Sequence, residues 1–105
     1  GIRLQNNSNV SVVNNYIDGT GRVGIWGGNV NGATIANNIV RNDFLGGYGS
    51  IHADGGSNWN ISGNNVDFGD YGIFLNGTGG LNTITGNQVD NVTIDGIRVV
   101  GVNGN

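Results

Sequence analysis

One phrase is written four times along the chain. "VVNNYID" at 12–18, "TIANNIVRN" at 34–42, "NISGNNVD" at 60–67 and "TITGNQVD" at 83–90 superpose position by position. Each has a β-branched residue (Val12, Ile35, Ile61, Ile84), then an asparagine (Asn15, Asn38, Asn64, Asn87), then an aliphatic residue (Ile17, Val40, Val66, Val89). A second phrase keeps step with it: "GIRL" at 1–4, "GIWG" at 24–27, "SIHA" at 50–53, "GIFL" at 72–75 and "GIRV" at 96–99. The spacings between its isoleucines (Ile2, Ile25, Ile51, Ile73, Ile97) are 23, 26, 22 and 24 residues. A period of about 20–30 residues built from short β-type phrases indicates a solenoid, in which no single repeat can bury its own apolar face.

Helix is a poor alternative, because apolar residues alternate with period two and glycine interrupts the pattern repeatedly. The first coil offers three short strands, at 1–5, 10–13 and 16–17, separated by Asn- and Gly-rich corners. Stacking such coils in register gives parallel sheets with rungs about 4.8 Å apart, so that one residue type forms a column. Four inward columns follow: Ile2/Ile25/Ile51/Ile73/Ile97, Leu4/Gly27/Ala53/Leu75/Val99, Val12/Ile35/Ile61/Ile84 and Ile17/Val40/Val66/Val89. At roughly 1.5–3 kcal/mol per buried aliphatic side chain, they supply most of the stability. Trp59 aligns with Val10, Ala33 and Asn82 and is assigned to the core. The column Asn15/Asn38/Asn64/Asn87 is expected to turn a corner, where asparagine leaves the β region cheaply, and to hydrogen-bond along the stack.

Composition fits this reading. The 22 glycines and 20 asparagines suit many tight turns, since both residues tolerate positive φ. Only 10% of residues are charged and 36% are apolar, unlike a disordered chain. A length of 105 residues argues for one domain. The absence of cysteine removes disulfides and thiolate metal sites. The net charge of −3, with no basic run, argues against a nucleic-acid partner, and no apolar stretch reaches membrane-spanning length.

The pattern "GI-x-L … NV-x-V-x-NN-x-I … G" resembles the right-handed parallel β-helix repeat of the pectin-lyase-like superfamily. The resemblance implies an all-β, right-handed parallel β-helix of about four and a half coils with three short strands per coil. The coils fall at about 1–23, 24–49, 50–71, 72–95 and 96–105, as one domain that reads as an excerpt of a longer solenoid. The superfamily includes polysaccharide lyases, uronan epimerases, glycoside hydrolases, tailspikes and non-catalytic surface proteins, so the resemblance carries fold further than activity. It also implies an extracellular or cell-surface location.

Between the inward residues of the first strand lies an outward one. Down the stack it is Arg3, Trp26, His52, Phe74 and Arg98, and the next outward position is Gln5, Gly28, Asp54, Asn76 and Val100. Rung spacing is close to the length of one sugar, aromatic faces pack on pyranose C–H faces, and arginine suits carboxylates. In the resembled enzymes the polysaccharide lies along this face. Arg3, Trp26, Phe74 and Asn76 are therefore expected to bind an acidic polysaccharide. The competing expectation is that the rings stack on one another and stabilise the sheet.

His52 and Asp54 leave the same face of one strand, and could pair as a general base and its carboxylate. Arg98 or Arg3 would neutralise a uronate carboxyl, and Tyr71 would supply a proton to the leaving oxygen. That division of labour is the one a lyase or C5-epimerase needs. The phrase "GIR" at 96–98 is similar to the arginine-bearing strand of polygalacturonases, but the lysine and the close aspartate pair of that family are missing.

Asp18, Arg41, Asp67 and Asp90 share a column and read as a surface ion-pair ladder. The turn at 41–49, "RNDFLGGYG", is the longest and is expected to wall a groove. Asp43, Asp70 and Asp95 lie in the turns entering the first strand. They could bind calcium, as in some members of the resembled family, but lack regular ligand spacing, and no cofactor is expected. Sequons begin at Asn6, Asn9, Asn60, Asn76 and Asn91, in a chain so rich in Asn, Ser and Thr that coincidence accounts for most of them. Two readings remain: a carbohydrate-active segment, or a structural shaft, adhesin or fibre associating through its uncapped ends.

Overall fold

The computed structural model describes residues 1–19, 23–41 and 46–101. Among them, thirteen strands and no helix occur. The first sheet stacks β1 (Ile2–Gln5), β4 (Ile25–Gly28), β7 (Gly49–Asp54), β10 (Tyr71–Asn76) and β13 (Asp95–Val100) in that order. The second runs β2 (Ser8–Val13), β5 (Asn31–Ala36), β8 (Asn60–Ser62) and β11 (Thr83–Thr85). The third runs β3 (Tyr16–Asp18), β6 (Ile39–Arg41), β9 (Asn65–Asp67) and β12 (Gln88–Asp90). All neighbours are parallel, so the chain coils through three sheets and returns one rung further along: a parallel β-solenoid of about four turns.

The registers reproduce the four inward columns, with Ile2 opposite Ile25, Ile25 opposite Ile51, Val12 opposite Ile35 and Val40 opposite Val66. Ile35, Val40, Ile51, Ile61, Val66, Ile73 and Leu75 are fully buried. The columns open at the last rung, where Ile97 and Val99 are 50% and 42% exposed. Trp59 is 1% exposed and points into the core. Its ring tip fills the space facing Gly27, where any Cβ would overlap Trp59 Cη2.

The asparagine column lies inside the stack, with Asn38 and Asn64 buried. The amide oxygens of Asn38, Asn64 and Asn87 each accept two bonds from the preceding coil. Asn64 Oδ1 takes Asn38 N–H at 2.9 Å and Asn38 Nδ2–H at 3.0 Å, and Asn87 Oδ1 does the same for Asn64. The Nδ2 of Asn38 and of Asn64 also donates back, to Val12 O and Ile35 O, each at 2.9 Å. Stacking thus satisfies every polar atom of these buried amides, which is the condition for burying them at all.

The corner is turned one residue earlier than the repeat suggests. The residue that leaves the β region at this corner is the one before the ladder: Asn14 (φ 60°), Asn37 (φ 56°), Gly63 (φ 63°) and Gly86 (φ 61°). The left-handed residue turns the chain, and the next asparagine, aimed inward by that turn, builds the ladder. At the corresponding corner after the third sheet, Gly19 (φ 61°) and Asn91 (φ 55°) align with Phe68 (φ 69°), a bulky residue in a conformation that glycine and asparagine favour. The Phe68 carbonyl accepts a bond at 3.1 Å from the hydroxyl of Ser50, which stands fully buried where Gly24 and Gly72 stand in neighbouring coils.

Candidate functional site

The first sheet carries the outward column in register: Arg3 beside Trp26, Trp26 beside His52, His52 beside Phe74 and Phe74 beside Arg98. The side chains form two linked groups. Arg3 Cζ sits over the Trp26 ring, 4.8 Å from its centroid. Further along, the His52 and Phe74 rings stack at 4.7 Å and 9°, and Tyr71 meets Phe74 edge-on at 5.1 Å. Arg98 Cζ lies 5.4 Å from the Tyr71 ring and 5.8 Å from the Phe74 ring, and its Nη1 is 3.3 Å from Asp95 Oδ2. Stacked and edge-on aromatic pairs and cation–π contacts each contribute about 0.5–1.5 kcal/mol, so the column stabilises the sheet.

His52 points outward but is only 5% exposed, because Phe74 covers one side and the Tyr48 ring, 5.8 Å away, another. Its Nδ1 accepts the Gly49 N–H at 3.0 Å, so the neutral ring carries its proton on Nε2, which faces Asp54 Oδ1 at 3.3 Å. Burial holds the imidazole pKa below its ordinary value, and the neighbouring Asp54 charge only partly offsets this. Asp54 feels the same burial, which pushes its pKa up. The Trp26 bond, the His52 charge and the Asn76 bond outweigh it and hold the carboxylate below its ordinary value. Of the residues assigned to catalysis, His52 is thus joined to Asp54, and Tyr71 to Arg98, with Phe74 between the two pairs. Of those assigned to binding, Asn76 Nδ2 donates to Asp54 Oδ1 at 3.0 Å, and Trp26 Nε1 donates to Asp54 Oδ2 at 3.0 Å.

At the Arg3 end a groove of about 400 Å³ opens, lined by Ile2, Arg3, Val23, Trp26, Tyr48 and Asp54. Tyr48 comes from the turn at 41–49 that the sequence marks as a groove wall. Residues 42–45 of that turn, Asp43 included, lie outside the described residues. Sequence reasoning missed Tyr48 as an individual contact, and missed Gly28, whose lack of a side chain lets the Trp26 ring reach across it. Glycine directly after an outward tryptophan on the same face was the available signal.

Asp67, Asp70 and Asp90 are held by hydrogen bonds. Asp70 accepts Thr93 Oγ1–H and Gly47 N–H, both at 2.6 Å; the Thr93 bond first, then that of Gly47, holds its pKa below the ordinary value. Among the described residues, no three histidine or acidic side chains gather as metal ligands. The expected ladder makes no contact ion pair: among the described residues such pairs are His52–Asp54 and Asp95–Arg98. Arg41 lies over the Phe68 ring at 5.9 Å, and Tyr16 first, then the charges of Asp18 and Asp67, raise its pKa. Asp67 and Asp90 take side-chain amide donors, from Asn91 and Gln88, each at 2.8 Å.

No curated protein and no solved structure gives a significant match to the chain. The family model described as "Right handed beta helix region" matches residues 1–89. With the three parallel sheets and the inward columns in register, that match makes the chain a member of the right-handed β-helix family.

Proposed function

We propose that this β-helix segment binds an acidic polysaccharide along the outward face of its first sheet, without transforming it. The observation that carries this reading is the groove at the Arg3 end, where an indole, a phenol and a guanidinium line one open volume of about 400 Å³. Such a set suits a uronate: the rings offer faces to sugar C–H groups, and the guanidinium offers N–H groups to the carboxylate. Binding without chemistry is favoured by the state of His52. Its one lone pair is committed to Gly49 N–H, and a general base needs that lone pair within reach of the substrate proton. The reading places the protein among pectin-lyase-like proteins of the cell surface or extracellular space, as a binding member rather than a lyase or epimerase.

A second reading, a structural shaft, is favoured by a different observation. The His52–Phe74–Arg98 part of the face is closed on itself by ring stacking and cation–π contacts.

Tryptophan emission separates the two. Trp59 is buried in the core, so a ligand at the surface is reported by Trp26. Titration with uronate and neutral oligosaccharides should shift wild-type emission for the uronates, and calorimetric titration, which does not need the indole as reporter, should show binding lost in Trp26→Ala and kept in His52→Ala. No response to any glycan would leave the shaft as the better reading. New ultraviolet absorbance from an unsaturated sugar, or NMR evidence of inversion at C5, would overturn binding without chemistry.

A further inference from the structure

Donors from three successive coils converge on the Asp54 carboxylate. They divide unequally: Trp26 Nε1–H has Oδ2, at 3.0 Å, while Asn76 Nδ2–H and His52 Nε2–H share Oδ1, at 3.0 and 3.3 Å. We propose that Asp54 is a positioning residue. Through the indole of Trp26, it fixes the plane in which Arg3 presents its N–H groups to a ligand carboxylate. The proposal rests on the glycan reading for its ligand, but the orientation of the indole can be measured without one.

Each link is physical. An indole bonded at Nε1 has lost its freedom to swing about the side-chain torsions. Its other end reaches across Gly28, where a Cβ would overlap Trp26 Cη2. Bond at one end and glycine floor at the other define one ring position. Arg3 then sits over that ring, with Nη2 3.3 Å from Gln5 Oε1. Stacking engages the face of a guanidinium and leaves its edge N–H groups, which are the ones that grip a carboxylate. Asp54 thereby acts on the ligand through two other side chains. As an ionised, acceptor-only group it satisfies three donors at once, which no amide can do.

Asp54→Asn is the decisive variant because it preserves shape. Its single oxygen is drawn to the two donors at the Oδ1 position, which turns the new NH2 toward the indole N–H and breaks that bond. In the ligand-free protein at about pH 8, where histidine is neutral, near-ultraviolet circular dichroism and acrylamide quenching read the order of Trp26. Asp54→Asn should lose the Trp26 dichroism as completely as Trp26→Phe does, and its emission should become more quenchable. Asn76→Ala, which removes a bond from the same carboxylate but leaves Oδ2 to the indole, should keep both signals. Gly28→Ala displaces the ring tip with the carboxylate intact and should reproduce the loss by a second route. Wild-type spectra in Asp54→Asn or in Gly28→Ala would overturn the proposal, as would an equal loss in Asn76→Ala. With a uronate trisaccharide as probe, Asp54→Asn should bind about tenfold more weakly, the effect of one charge-assisted bond. Wild type failing to bind the trisaccharide would sink the glycan reading and leave the orientation of Trp26 to be judged on its spectra.

Discussion

The ring tip of Trp59 occupies the space that a side chain at Gly27 would need, two inward columns of adjacent coils meeting as bulk against absence. Gly27 stands in line with Leu4, Ala53, Leu75 and Val99, so the inward column narrows where the tryptophan enters. Gly27→Val should therefore destabilise by about 1–3 kcal/mol through overpacking. Trp59→Ala should cost about 3–5 kcal/mol through the cavity it leaves. Urea unfolding of Gly27→Ala, Trp59→Phe and the pair, read as a double-mutant cycle, should show coupling, because the smaller ring makes room for the added methyl. Additive effects would mean the two residues do not share that space.

The asparagine ladder predicts a gradient along the stack. Asn64→Ala strips Asn38 N–H and Nδ2–H of their acceptor and Ile35 O of its donor, all in buried surroundings. At about 1–3 kcal/mol for a buried group left unsatisfied, this change should cost at least about 2 kcal/mol. Asn15 is half-buried, and truncating it takes one donor from Asn38 Oδ1 while leaving that oxygen the Asn15 backbone N–H. Asn15→Ala should cost less, and equal losses at 15 and 64 in thermal or urea unfolding would refute the ladder as the source.

Stability should fall with acid in two steps. The folded pKa of His52 lies below its unfolded value, so unfolding takes up a proton, and the stability of the neutral ring is complete only above about pH 6.5. It should decline as pH drops below that value toward the folded pKa. Asp54 and Asp70 have folded pKa values below the ordinary aspartate range, so their contribution is present above about pH 3.9 and is lost as pH falls through the folded values. Urea midpoints measured from neutral to acid pH should show the first decline in wild type and not in His52→Phe. A single decline common to both proteins would remove histidine from the account.

Phe68 offers a gain. A non-glycine residue in the left-handed region carries about 1–2 kcal/mol of strain, and the aligned positions hold Gly19 and Asn91. Phe68→Asn relieves it while giving up a distant cation–π contact with Arg41 at 5.9 Å on a partly exposed ring. The melting temperature should rise by a few degrees. A fall would mean that the ring's contacts outweigh its backbone strain.

The coils, sheets and inward columns were legible because stacking imposes one requirement on every repeat, and Ile2, Ile25, Ile51, Ile73 and Ile97 answer it with the same residue. The site was only half legible, because its decisive features arise where the repeat is broken. The alternation correctly sends His52 outward, yet it is buried by Tyr48, from a turn unlike any other, and by the ring of Phe74. The Arg41 ladder makes no contact pair for a similar reason: register put opposite charges in one column, but the long side chain lies over the Phe68 ring, and after Tyr16 the charges of Asp18 and Asp67 act on it only from a distance. The asparagine corner was displaced by one residue because sequence periodicity gives the column and not the dihedral angle.

A ladder of identical amides has a weakness as a builder's rule. Asn38 would be as well matched by the amide of one coil as by that of another, so the ladder alone permits a coil to settle on the wrong neighbour. The irregular core supplies the missing address. Trp59 fits only against a coil that has glycine at position 27. Regular columns make the stack strong, and the few misfits in them decide its order.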